Sequence, residues 1–378
     1  MKRKIIYSIL LLLLISNNAK SQILKDSLYG NVKRLSEKVI FLTKKENPQL
    51  MYYDDYGHYG FMGPQSTIYN FRNLWFSSPL CYYLNYKRDF DKKRRVVNEI
   101  WFDKKNDFIN SYRYVYDKKE RLISAIDSSK YSTATENYYY TDNGDENIIR
   151  ENLSYNSFSH TYKKNKDGKI MLLKKYDENG VIDEYRYHYT ENDKLKYRLY
   201  KNPNNWKKEN DKSFSYGVQD SVGRTYKDLI NEYDDKNRLI KRQTFGLYED
   251  EKYQNPVLTN ERIYKYQNDS IIGITEYSRG ASFITYLHLK RDNFDRLIER
   301  YCCNKEISQA SIIEKYFYKN NKIATLDYAV RSDNHKRKMD KSHIVFTYKL
   351  DGQNNWIEII KNVNGVDLYK WTREIEYY

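Results

Sequence analysis

The stretch Tyr112-Arg113-Tyr114-Val115-Tyr116-Asp117-Lys118-Lys119-Glu120-Arg121-Leu122-Ile123 decides how this chain folds. Its three tyrosines at i, i+2 and i+4 share one face of an extended strand, because side chains alternate with a period of two. Four polar residues follow, and then an aliphatic run begins. Two such runs across a short polar loop read as a β-hairpin. The unit recurs along the chain. Tyr185, Tyr187 and Tyr189 repeat the spacing before Glu191-Asn192-Asp193, and Leu195, Tyr197 and Leu199 form the return run. Tyr233-Asp234-Asp235-Lys236-Asn237-Arg238-Leu239-Ile240 is a near copy. Looser copies run from Phe90 to Val97, Tyr162 to Ile170, Tyr176 to Ile182, Tyr264 to Ile272, Phe294 to Ile298, Tyr316 to Ile323 and Phe346 to Trp356. Their turn-flanking aromatics fall roughly 22 to 33 residues apart, the range of stacked supersecondary repeats.

Composition agrees with strands and with a thin core. The 378 residues include 42 Tyr, and without them the apolar share falls to about 29%, low for a globular chain. Disordered chains are poor in aromatics, whereas 16% of this one is aromatic. Long helical periodicity with caps is absent after Gln22, so the expected class is all-β. Polar stretches at 201–206, 248–256 and 334–341 read as long loops. Tyr52 to Pro79 lacks the hairpin rhythm and is expected to cap one end of the sheet.

The first residues read as an export signal. Lys2, Arg3 and Lys4 precede an apolar run from Ile5 to Ile15, and Ala19 and Ser21 offer a cleavage site before Gln22. The run is shorter than the ~20 residues that span a bilayer. The expected organisation is a signal at 1–21 and one elongated domain over 22–378, with 22–80 an atypical N-terminal cap and 81–378 the hairpins. No transmembrane span is expected after the signal is removed. Losing Lys2, Arg3, Lys4 and Lys20 lowers the net charge from +15 to +11. For an exported chain a basic balance points to an envelope protein or an anionic glycan as partner, and away from nucleic acid. Composition drift toward Lys, Asn, Ile and Tyr explains the charge as well.

The Tyr-Asp-x-x-x-Arg-Leu-Ile units at 116–123 and 233–240 resemble YD repeats of the RHS type. The ending, Gly352-Gln353-Asn354-Asn355-Trp356-Ile357 and then Thr372-Arg373-Glu374-Ile375-Glu376-Tyr377-Tyr378, resembles secreted proteins of Bacteroidota that carry degenerate repeats of this kind. The opening Leu28-Tyr29-Gly30-Asn31-Val32-Lys33 resembles their first strand. The resemblance implies an elongated antiparallel β-hairpin repeat, a YD/RHS-like meander forming a long curved or twisted sheet. It brings no catalytic residues, and it adds an immunity or accessory role beside an RHS-type toxin as one possible function.

Chemistry is sparse. The six His form no H-E-x-x-H or zinc-spaced set, and no nucleophile elbow, phosphate loop or calcium loop is present. The expectation is therefore a non-enzymatic binding or scaffold module with no cofactor or metal, the alternative being a glycan-binding or glycan-active accessory protein. Two ligand sites are candidates. Asp54, Asp55 and His58 lie among aromatics and could orient a sugar, or form an ordinary polar loop. The row Tyr185, Tyr187, Tyr189 could stack sugar rings, although a thin sheet needs the same row to cover itself. Cys81, Cys302 and Cys303 are expected to be buried or unremarkable thiols; a disulfide, if formed, would join Cys81 to one of the other two.

Overall fold

The computed structural model describes residues 28–43, 64–103, 105–131, 133–140, 146–152, 155–177, 180–201, 225–247, 255–267, 270–279, 285–303, 310–331 and 339–378. The expected signal at 1–21 and the candidates Asp54, Asp55 and His58 lie outside them. Among the described residues the structure is all-β apart from one helix, α1 (Pro64–Ser77). The first strands are β1 (Val32–Phe41), β2 (Asn85–Phe90), β3 (Val96–Phe102), β4 (Phe108–Tyr116), β5 (Leu122–Ser129), β6 (Thr133–Tyr140), β7 (Glu146–Asn152) and β8 (Tyr155–Lys164). Next come β9 (Ile170–Asp177), β10 (Gly180–Tyr189), β11 (Leu195–Lys201), β12 (Thr225–Tyr233), β13 (Leu239–Gly246), β14 (Val257–Gln267) and β15 (Ser270–Ser278). The last are β16 (Thr285–Arg291), β17 (Leu297–Cys303), β18 (Ala310–Lys319), β19 (Lys322–Arg331), β20 (Met339–Leu350), β21 (Trp356–Val363) and β22 (Val366–Tyr377).

Every strand pairs antiparallel with its sequence neighbours, which is the expected hairpin meander. The meander also closes. Residues 34–38 of β1 pair with β2 on one side, Arg34 opposite Asp89, and with β22 on the other, Glu37 opposite Arg373. Among the described residues the 22 strands thus form one ring, each paired on both sides, which removes the unpaired backbone groups that invite aggregation. The ring is a single layer, since strands pack essentially against their ring neighbours alone.

The turns explain why the Tyr-Asp-x-x-x-Arg unit recurs. At 234–238 the Asp234 amide donates to the Arg238 carbonyl and the Asn237 amide to the Asp234 carbonyl. This is a type I turn followed by a left-handed residue, Asn237 at φ 63°, and it puts a bulge into the ladder. Asp234 Oδ1 accepts the amides of Lys236 (3.0 Å) and Arg238 (2.9 Å), and its Oδ2 accepts Arg238 Nε (2.8 Å). The same closure recurs at 91–95, 117–121 and 292–296. The last differs from the sequence expectation. Asp292 is the capping residue there, while Phe294, expected in a strand, sits at the turn tip 79% exposed.

These turns gather on one rim of the ring. The other rim carries the strand ends Phe41 and Asn85, Lys201 and Thr225, and Cys303 and Ala310. Two further expectations change. Lys201 and residues 339–341, read as loop, belong to β11 and β20. The helix α1 was not foreseen. Pro64 occupies its first turn, where a missing N–H costs nothing, but no acidic residue starts it and no basic residue ends it. Ile68, Phe71 and Trp75 line its buried face at a spacing of three to four residues, with Phe76 beside them.

Candidate functional site

Three places merit description as sites: the seam where the ring closes, the face carrying the Tyr row, and a groove on the opposite face. At the seam α1 lies on the sheet, with Phe71 and Trp75 at 4.8 and 5.4 Å from the Trp371 ring and Phe76 at 5.3 Å from Phe346. Beneath this aromatic layer Glu37 and Arg373 form an ion pair that neither exposes to solvent. Arg373 donates to Glu37 Oε1 through Nε (2.9 Å) and a terminal nitrogen (2.6 Å), and Trp371 Nε1 donates to Oε2 at 3.2 Å. The guanidinium also lies 3.6 Å above the Trp356 ring. A buried charge pair persists only when such additional contacts offset its lost hydration.

Next to it lies a second buried cation. Lys361 Nζ donates to the Leu80 carbonyl at 2.7 Å and sits 5.2 Å from the Trp75 ring and 5.7 Å from Tyr369. Burial pulls its ammonium down to about 7 and pushes the neighbouring Cys81 thiol up to about 12. Neither residue has solvent access, so the pair reads as a satisfied part of the core. Cys81, Cys302 and Cys303 are all free thiols, and no disulfide joins them.

The Tyr row is divided by the fold. Tyr189 belongs to the turn rim: its hydroxyl donates to the Ile170 carbonyl (2.7 Å) and Lys169 lies 5.7 Å from its ring. The same latch links successive hairpins elsewhere. Tyr266 donates to the Leu239 carbonyl (2.7 Å) beneath Arg238 (4.7 Å), and Tyr116 to Val96 (2.9 Å) beneath Arg95 (4.4 Å). Tyr318 donates to Leu297 (2.8 Å) beneath Arg296 (4.5 Å). The arginine that closes one turn therefore stacks on the tyrosine of the next hairpin, and that tyrosine hydrogen-bonds the residue after the arginine.

Tyr185 and Tyr187 lie deeper, on the face that carries α1. Tyr185 packs against Tyr200 at 5.1 Å, and Tyr200 donates to Asp183 Oδ1 at 2.8 Å. Arg198, forked onto Asp228 (2.5 Å), spans both rings, 4.6 Å from Tyr185 and 5.9 Å from Tyr187. Lys175 lies 5.4 Å from Tyr185. Burial above all, with Asp183 next, pushes the Tyr185 phenol up to about 12. Cations thus occupy ring faces that a stacked sugar would need.

Sequence reasoning missed a third place, on the opposite face of the sheet. Glu184, Arg186, Leu199, Lys201 and Thr225 line a groove of about 270 Å³ across β10, β11 and β12. Its signal was the alternate set of the Tyr-row strands, Glu184 and Arg186, which the tyrosines overshadow. Among the described residues no cluster of His, Cys, Asp or Glu has the arrangement of a metal site.

No known protein family matches the chain, and no curated protein does. Solved structures do. The pore form of the Photorhabdus luminescens Tc holotoxin matches over 76% of this chain and 19% of its own, at 8% identity and a TM-score of 0.35. A porin-like protein from Bacteroides uniformis matches over 93% of this chain and 100% of its own, at 11% identity and a TM-score of 0.24. A TcdB2–TccC3 structure without its hypervariable C-terminal region matches over 76% and 19%, at 9% identity and a TM-score of 0.23. This chain spans about a fifth of the two toxin chains. All are likenesses in β-architecture alone.

Proposed function

We propose that this chain is an exported, non-enzymatic β-repeat protein of the YD/RHS-like kind, acting as a binding or scaffold module at the cell envelope. One observation carries the reading: the repeated Tyr, Asp and Arg residues are spent on closing turns and latching neighbouring hairpins. The repeats therefore build a frame, and recognition falls to what does not repeat, among the described residues the exposed strand faces. Both faces carry mid-strand cations, Lys87 and Lys241 on one, Arg198 and Arg262 on the other. A charge facing hydrocarbon at mid-depth costs ~2–4 kcal/mol, so the strands suit water on both sides. Among the described residues no helix is long and apolar enough to cross a membrane.

Cell fractionation with N-terminal sequencing tests the reading. The expected product begins at Gln22 and lies in the envelope or the medium, and a chain lacking 1–21 stays inside the cell. Full-length protein found only in the cytoplasm would end the proposal.

A further inference from the structure

The groove on β10–β12 specifies what this binding role would act on. On this face Lys174 of β9 lies opposite Glu184, Glu184 opposite Lys201, and Lys201 opposite Thr225; beside them Arg186 faces Leu199 and Leu199 faces Lys227. Each of four successive strands contributes one cation. Neighbouring strands stand ~4.8 Å apart, close to the length of one sugar ring in an extended polysaccharide. Glu184 is the acid of the cluster. It is 7% exposed and already accepts Arg186 Nε (2.7 Å) and Lys174 Nζ (3.5 Å), which leaves an excess of positive charge over the groove.

The geometry points to an acidic polysaccharide as the ligand: Leu199 gives an apolar floor, Thr225 a hydroxyl, and Arg186 and Lys201 the charges for an acidic group on each sugar. The volume of about 270 Å³ suits one ring at a time, below the size of a drug-like pocket. A lipid surface fits worse, because no large hydrophobic residue of β10, β11 or β12 is exposed among the described residues to enter a bilayer. The acid can be a uronate carboxylate or a sulfate ester, since both present oxygens to a guanidinium and an ammonium. This inference rests on the envelope role proposed above and narrows it.

Calorimetric titration of the purified chain with polygalacturonate, dextran sulfate and neutral dextran, at low and high salt, tests it. Binding to polygalacturonate alone assigns the carboxylate, and to dextran sulfate alone the sulfate ester. In either case Arg186→Gln and Lys201→Gln each weaken binding on the order of tenfold, the worth of one charge-assisted contact, while high salt weakens it further. Lys349→Gln, on β20 away from the groove, leaves binding unchanged, and unchanged circular dichroism shows that the variants fold. Equal binding of neutral dextran, binding indifferent to both groove variants, or capture only by phosphatidylglycerol vesicles would overturn the assignment. Fractionation reads the wider envelope role separately, so either proposal can fail alone.

Discussion

Tyr266 makes two contacts at once, a hydroxyl bond to the Leu239 carbonyl and a ring face under the Arg238 guanidinium. Tyr266→Phe keeps the stack and removes the bond, so urea unfolding is expected to show a loss of about 1 kcal/mol, the net worth of one hydrogen bond. Lys361 offers a pH signature. Its folded value near 7 lies below the 10.5 of a free lysine. Between those values the unfolded chain holds a proton that the folded chain has released, so stability rises with pH from about 7 toward 10. Tyr86, whose phenol burial pushes up, acts the other way only above 10: its contribution is present below that pH and fades as the folded phenol titrates. Lys361→Met is expected to flatten the rise between pH 7 and 9, measured as urea midpoints at the two values. An unchanged slope would mean that Lys361 keeps its proton in the fold. Residues of this kind are legible only in part. Period two and the Tyr-Asp pair mark the strand and its turn, but nothing near Lys361 says that it is buried against Trp75.

At the scale of elements, the hairpins were legible and the helix was not. Turn closure runs from Asp to the arginine four residues on, so the whole device lies within five residues of sequence. Where two Asp compete, as in Asp292 and Asp295, pattern alone picked the wrong one, because the choice depends on which residue takes the left-handed position. Asp295 takes it, at φ 61°. The helix lacks charged ends and is held by tertiary contact, its Trp75 wholly buried among Phe71, Tyr369 and Trp371. Trp75→Ala is expected to cost about 3–5 kcal/mol in urea unfolding, the usual price of a large core truncation. Tyr69→Ala, on an exposed position of the same helix, is expected to stay within ~0.5 kcal/mol. Equal losses would show that α1 does not seal the seam. The site candidates divide in the same way. Tyr185 and Tyr187 were visible as a row, but their cationic covers, Arg198 and Lys175, come from neighbouring strands.

At the scale of the whole molecule, the ring stands or falls at its seam. Glu37→Ala removes the buried carboxylate that accepts from Arg373, and the expected loss is about 3–5 kcal/mol. Deleting residues 366–378 removes β22 and exposes edges on β1 and β21, so size-exclusion chromatography is expected to show larger species or aggregate. A monodisperse monomer after that deletion would mean that closure is not what protects the sheet. The sequence by itself determined the strand class, the positions of most turns and the basic balance, because period-two patterning and turn chemistry act over a few neighbouring residues. Only the tertiary structure decided that the meander closes, that one rim collects the capped turns, and which residues become a groove. Those outcomes depend on residues such as Glu37 and Trp371, 334 positions apart, whose meeting leaves no local pattern to read.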